Sequence, residues 1–190
     1  MNDLENRLTQ GLPDTGRPPV LPDADVGYAL HETLIGTLLL ATAAGRVVAS
    51  SFGDEDTVTA RLARTISPRV LRQPKAVDEV RRQLDEYLAG RRQQFELDVD
   101  LALATPFQRT VLSGLPAYVP FGRTTTYGKL AGELHRPGAA RAVGTALGAN
   151  PLCVVLPCHR VVGASGALTG YAGGVEAKRY LLDLEGAVTR

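Results

Sequence analysis

The chain of 190 residues holds two cysteines and three histidines, and one of each stand side by side in "PCHR", Pro157 to Arg160. A cysteine reacts as its thiolate. At a free pKa of about 8.5 it needs a base or a positive charge close by. His159 is the obvious base, but neighbouring side chains on an extended chain diverge, so a Cys158–His159 pair requires a turn or a bridging water. A carboxylate should orient the imidazole, and Glu185, Glu176, Asp183 and Glu133 compete for that place. The alternative is structural: Cys158 as a small buried hydrophobe and His159 as a satisfied core histidine. The scattered histidines His31, His135 and His159 show no metal-ligand spacing, and the cysteine count excludes a Cys-rich cluster. No metal and no cofactor is expected. Cys153 and Cys158 flank one apolar run; on a strand they would face opposite sides, which argues against a disulfide and for a reducing, cytoplasmic setting.

Those residues must be positioned by the elements around them. Leu152–Leu156 is continuously apolar and reads as a buried strand or extended segment that delivers Cys158. A loop with five glycines, 163–174, follows, and then a helix over Glu176–Glu185. Upstream, Thr105-Pro106 pairs an N-cap with a first-turn proline and opens a helix over Pro106–Leu115. Thr126–Leu134 and Ala139–Leu147 read as two more helices, broken at Pro137-Gly138, in a helix-turn-helix outline. The third helix is odd for a DNA reader, since Arg141 is its one charge among Ala139, Ala140, Ala142, Val143, Gly144, Thr145 and Ala146. Either it is buried through its small residues, or those residues let it approach a groove closely while Arg141 projects.

The preceding part reads as a small α/β unit with no obvious chemistry. Tyr28–Thr33, Thr37–Thr42, Arg46–Phe52 and Phe95–Leu101 look like strands. Asp54–Ile66 and Pro74–Ala89 look like helices, the second with Val77, Val80, Leu84, Tyr87 and Leu88 on one face. Residues 1–24, punctuated by Pro and Gly, read as a flexible tail. The expected organisation is thus tail 1–24, an N-terminal α/β domain 25–104 and a C-terminal domain 105–190. An apolar content of 44% can supply a core, while no run approaches the roughly 20 residues of a membrane helix. The N-terminus lacks the pattern of a secretory signal. Residues 1–104 carry 12 Lys and Arg against 16 Asp and Glu, and residues 105–190 carry 9 against 4. An anionic partner therefore suits the second part better.

Three segments together, "TPFQRTVLSGLPAYVPFGRTTTYGKLA", "RPGAARAVGTALGANP" and "LPCHRVVGASGALTGYAGGVEAKRYLLDLEG", resemble the O6-alkylguanine-DNA alkyltransferases, also called methylated-DNA–protein-cysteine methyltransferases. The resemblance is close over residues 105–186, and residues 28–104 agree in size and outline. It implies a ribonuclease H-like N-terminal domain, built on a small antiparallel sheet with helices, and a mostly α, winged-helix-like C-terminal domain. It implies that Cys158 accepts the alkyl group, that His159 acts on it through a water, and that Glu185 orients His159. Asn150 matches a hinge between helix and active-site strand. Arg141 matches the finger that fills the gap of an extruded base, with Ala142 and Gly144 beside it at the DNA. Tyr127 matches the residue that promotes flipping and serves as proton donor to the departing guanine. Tyr171, Leu147, Ala172 and the backbone of Val161 would form the pocket. The implied partner is double-stranded DNA containing O6-alkylguanine, bound by a monomer able to cluster on DNA, with no membrane contact. A lesion in a duplex is out of reach unless the nucleotide is turned out, which fits those roles.

The sequence departs from the resemblance at two positions. Leu112 stands where many relatives carry Trp, and Cys153 where relatives often have Pro or an aliphatic residue. Competing classes fare worse. A non-catalytic lesion binder would lack Cys158. A winged-helix regulator would need a more polar third helix, and a cysteine hydrolase would need an oxyanion site.

Overall fold

The computed structural model describes residues 25–187, so the tail expected at 1–24 lies outside the described residues. Three strands, β1 (Val26–Thr33), β2 (Gly36–Ala43) and β3 (Arg46–Ser51), form an antiparallel meander. Ala44 and Gly45 both take positive φ between β2 and β3, the twist a two-residue hairpin requires. Asp54 then caps helix α1 (Glu55–Thr65), its side chain accepting from the Thr57 N–H at 2.9 Å.

That helix carries the chain across to β4 (Val70–Arg72), which pairs parallel with β1. The sheet order is β3-β2-β1-β4, and the sheet is mixed rather than purely antiparallel as expected. A helical crossover returns the chain in its original direction, and three residues are too few to advertise a strand by alternation. The expected helix over Pro74–Ala89 divides into a 3₁₀ turn, Pro74–Val77, and helix α2 (Asp78–Leu88). Val77, Val80, Leu84 and Tyr87 lie in the same core as Ala29, Leu38 and Leu40 of the sheet.

The strand expected at Phe95–Leu101 does not form. One isolated bridge joins Val99 to Val47, with hydrogen bonds from Val47 N to Asp98 O and from Asp100 N to Val47 O, both 2.8 Å. The free edge of β3 is shared, because further along it Ser50 N donates to Pro151 O (2.8 Å) and Cys153 N donates to Ser50 O (2.7 Å). The alternation at 95–101 reflects one apolar face, with Phe95, Leu97, Val99 and Leu101 against the main core, and not a full ladder.

Helix α3 (Pro106–Ser113) opens with a complete capping box between Thr105 and Gln108. It ends earlier than expected because Gly114 and Pro116 start a separate short helix, α4 (Leu115–Tyr118). Strand β5 (Thr125–Thr126) leads into α5 (Tyr127–Glu133), capped by Thr126, and then α6 (Ala140–Gly148). Both agree with the sequence reading to within a residue at each end. Strand β6 (Val161–Val162) pairs parallel with β5, and α7 (Gly174–Leu184) closes the described chain. Helix α6 packs on α3 and α5. One hydrophobic cluster runs through both halves, from Leu38, Leu40 and Tyr87 to Leu112, Leu130, Val143, Cys158 and Leu181. Leu112 is fully buried within this cluster.

Candidate active site

The segment from Asn150 to Cys158 is not the straight strand the apolar run suggested. It doubles back in a turn, with Val154 at φ 71° and Leu156 N donating to Leu152 O at 2.8 Å. A positive φ is costly for a β-branched residue, so the surroundings must impose it. Asn150 does much of that. Its Oδ1 accepts from Leu152 N (3.0 Å), and its Nδ2 donates to Leu156 O (3.1 Å) and to Cys158 Sγ (3.2 Å). Ser50 holds the turn from outside, its hydroxyl donating to Cys153 O at 2.9 Å.

The turn also overturns the expectation that Cys153 and Cys158 face apart. Both line one cavity of about 430 Å³, together with Tyr127, Gly144, Leu147, Gly148, Thr169, Gly170, Tyr171 and Ala172. Both cysteines are reduced. The proximity of the two thiols is the largest influence on the pKa of each. It lowers the Cys158 pKa, aided by the Asn150 amide and the Lys178 charge against the effect of burial. The same proximity, then burial, pushes Cys153 well up. Thiolate character is thereby concentrated on Cys158.

Cys158, His159 and Arg160 form a single 3₁₀ turn, which sends successive side chains in different directions. Among the described residues no hydrogen bond joins Cys158 to His159. The imidazole instead turns inward, with Nε2 2.6 Å from Glu185 Oε1, while its buried Nδ1 has no hydrogen-bond partner among the described residues. Of the four carboxylates that compete in the sequence, Glu185 is the one beside His159. Burial lowers the His159 pKa despite the opposing pull of Glu185, so the ring is neutral at neutral pH.

Glu185 is the hub of this buried layer. It accepts from Arg160 Nε (2.8 Å), from Gly122 N (3.2 Å) and, through a short contact, from the Tyr87 hydroxyl. Burial alone would raise its pKa. Hydrogen bonding and charge from His159, the Tyr87 hydroxyl and Arg160 outweigh burial and pull it down to about 2. Arg160 also donates to Val119 O at 2.8 Å, so the guanidinium is spent on structure.

Helix α6 buries Val143, Ala146 and Leu147 and exposes Arg141, Ala142, Thr145 and Gly148. The small residues therefore form the outward face, which removes the fully buried alternative. Arg141 borders an open cleft with Thr126, Tyr127, Gly128, Gly144 and Ala164. Tyr127 sits between that cleft and the cavity, its ring against Gly144 and its hydroxyl 3.4 Å from Thr169 Oγ1. Ala142 lies on the exposed face but does not line the cavity. Val161 does not line it either; it is fully buried and its carbonyl accepts from Lys178 Nζ at 2.6 Å.

Four residues of this layer escaped the sequence reading. Tyr87 and Ser50 come from the half that looked free of chemistry. Phe52, from the same half, packs edge-on against Tyr171, 5.6 Å between ring centres. Lys178 is fully buried and also donates to Thr169 O at 2.9 Å, tying β6 to the glycine-rich loop. Two of these had signals. Lys178 falls on the apolar face of its helix, three and four residues before Leu181 and Leu182. Tyr87 sits on the apolar face of α2, where a buried hydroxyl requires a partner.

Fold and site together place a cysteine thiol of lowered pKa in the wall of a cavity bordered by an exposed helix of small residues. Residues 106–187 match the model of the 6-O-methylguanine DNA methyltransferase DNA binding domain, and residues 26–101 that of the ribonuclease-like domain of the same proteins. The chain belongs to the 6-O-methylguanine DNA methyltransferase family. It is 50% identical over 103 residues to a methylated-DNA–protein-cysteine methyltransferase of Mycobacterium tuberculosis, covering 54% of this chain and 61% of that protein's length. An inducible methylated-DNA–protein-cysteine methyltransferase of Bacillus subtilis is 47% identical over 103 residues, 54% of this chain and 56% of its own. The alignments thus span about three fifths of these curated relatives. The fold is similar to that of the Mycobacterium tuberculosis OGT solved in complex with DNA, at TM-score 0.73 and 38% identity, over 84% of this chain and 92% of that one. An O6-methylguanine-DNA methyltransferase from Pyrococcus kodakaraensis matches at TM-score 0.58 and 27% identity, over 85% and 99%.

Proposed function

We propose that this protein repairs DNA by taking an alkyl group from the O6 oxygen of a guanine onto Cys158, once per molecule. The observation that carries the reading is the placement of the Cys158 sulfur. It opens into a cavity large enough for a base, held by Asn150 and next to a buried His159–Glu185 pair. In the reaction the Cys158 sulfur attacks the alkyl carbon. A C–S bond forms and the C–O bond breaks, its electrons passing to the guanine oxygen. The thiol proton passes through a water to His159 Nδ1, the nitrogen left over once Nε2 is engaged by Glu185. Glu185, kept ionised, stabilises the imidazolium that results. The hydroxyl of Tyr127, at the cavity wall, supplies a proton to the departing guanine. A thioether has no reverse path on these side chains, which makes the protein a single-turnover acceptor.

The remaining roles follow from position. Arg141, Ala142 and Gly144 lie on or beside the exposed face of α6 and would meet the minor groove, with Arg141 entering the stack where a nucleotide has left. Tyr171, Leu147 and Ala172 would enclose the flipped base. Val161 would reach it with backbone groups only if the lone pair not used by Lys178 is turned to the cavity. The division at 25–104 and 105–190, a monomer able to cluster on DNA and a cytoplasmic location belong to the same reading. No helix among the described residues is long and apolar enough to cross a membrane.

The test is mass spectrometry of the folded protein after incubation with duplex DNA bearing O6-methylguanine. One methyl group should appear on the peptide containing Cys158, and none in Cys158→Ala. A folded protein that gains no methyl group there refutes the proposal.

A further inference from the structure

We propose that Cys153 and Cys158 form a reversible thiol–disulfide pair, in which Cys153 resolves a sulfenic acid made on Cys158 by a small hydroperoxide. The pairing is independent of alkyl transfer and rests on how the turn brings the two sulfurs together.

Both sulfurs hydrogen-bond to the same residue, Asn150. Cys158 Sγ accepts from Asn150 Nδ2 at 3.2 Å, and Cys153 Sγ donates to Asn150 O at 3.5 Å. Both face the same cavity, and both are free thiols. The backbone between them is already folded back, with Val154 left-handed and a bridge between Cys153 and Leu156. A disulfide requires two Cβ atoms within a few ångströms, which a straight strand denies to residues five apart and this turn favours. No other cysteine exists in the chain, so each thiol's intramolecular partner is the other.

The cavity determines the oxidant. Its walls are Tyr127, Leu147, Tyr171 and small residues, with no charged side chain among those lining it. An uncharged hydroperoxide can enter, while a charged thiol such as glutathione is disfavoured. In the first step the Cys158 sulfur attacks the distal peroxide oxygen. The S–O bond forms, the O–O bond breaks, and the leaving oxygen takes the thiol proton and departs as an alcohol or water. In the second step the Cys153 sulfur attacks the Cys158 sulfur. The S–S bond forms, the S–O bond breaks, and the hydroxyl leaves with the Cys153 proton as water. A dithiol reductant returns two electrons and restores both thiols. Without Cys153 the sulfenic acid persists and a second hydroperoxide carries it to sulfinic acid, which dithiols do not reverse.

The experiment uses the full chain with hydrogen peroxide as the probe. After brief treatment, intact mass and peptide mapping should show a loss of two hydrogens, localised to a peptide containing both cysteines. Neither thiol should take iodoacetamide until dithiothreitol is added, and then both should. Cys153→Ala and Cys153→Ser, each checked for folding by thermal melt, should instead gain two or more oxygens on Cys158, not recovered by dithiothreitol. The proposal is overturned if wild type accumulates the same sulfinic acid as the variants, or if the disulfide joins two molecules rather than one. A methyl-acceptance assay on the reduced protein runs alongside; failure there would sink the repair reading and leave the pairing untouched.

Discussion

The hydroxyl of Tyr87, in the helix that packs on the N-terminal sheet, donates to the carboxylate of Glu185, at the end of the last helix. The two residues are 98 positions apart, and both are buried. The same carboxylate holds His159, so the half without evident chemistry helps to fix the imidazole next to Cys158 in the chain.

Tyr87→Phe should therefore do more than remove a surface contact. A hydrogen bond to a buried charge is worth about 1.5–3 kcal/mol, and its loss leaves one Glu185 oxygen with fewer donors. Thermal or denaturant unfolding should show a destabilisation of that size. Single-turnover methylation of Cys158 should slow as well. An unchanged methylation rate would confine Tyr87 to a structural part.

Acid should unfold the protein partly through Glu185. Its folded pKa, about 2, lies below the ordinary value of 4.5, so its contribution is complete above pH 4.5 and fades as pH falls towards 2. A shift of that size corresponds to roughly 3 kcal/mol. Glu185→Gln should flatten this part of the stability–pH curve. At neutral pH it should also cost about 3–5 kcal/mol, because Arg160 is left buried without its carboxylate.

The methylation rate should keep its neutral-pH value below the ordinary histidine pKa of 6.5. Burial holds the folded His159 pKa under that value, so the acceptor form of the ring persists there. The acid limb of the pH–rate profile should appear only as pH falls through the lowered value. An acid limb centred above pH 6.5 would contradict the assignment of His159 as the base. For stability the direction is the same: the unfolded ring takes a proton first, so folding weakens as pH drops below 6.5.

Asn150→Ala removes the three bonds its side chain makes to the turn, including the amide on the Cys158 sulfur. The buried Leu152 N–H, which donates to Asn150 Oδ1, is orphaned at a cost of about 1–3 kcal/mol, while Leu156 O keeps its bond from Cys158 N. The Cys158 thiol pKa, measured by the pH dependence of its reaction with a small alkylating agent, should rise relative to wild type. A thiol pKa equal to or below wild type would rule out the Asn150 amide as a stabiliser of the thiolate.

Arg141→Ala should slow methyl transfer from duplex DNA far more than from a free alkylguanine base. The residue stands at the open cleft and not on the cavity lining. Equal losses on both substrates would remove it from the flipping step. DNA affinity of the wild type should fall with added salt, as phosphate contacts require.

Local chemistry made much of this legible in the chain. Thr105 and Thr126 as caps, Gly and Pro as breaks, and 3.6-residue spacing placed the helices to within a few residues, because caps and breaks act over one turn. Short-range pattern could not reveal the parallel β4, since pairing with β1 depends on a crossover. Nor could it reveal that 95–101 has one bridge instead of a ladder, since the edge it would use is partly taken by residues 151–153.

The same division holds at the site. The sequence determined the cast: Cys158 beside His159, a set of carboxylates, and a small-residue helix with one arginine. Tertiary structure decided the pairings. It chose Glu185 over its competitors, turned the small face of α6 outward and recruited Tyr87 and Lys178. It also bent the Leu152–Leu156 run so that two cysteines meant to face apart share one cavity. The physical reason is common to all of these. Which buried polar groups meet is set by the burial cost of leaving any of them unpaired, and that cost is settled only once distant segments have packed together.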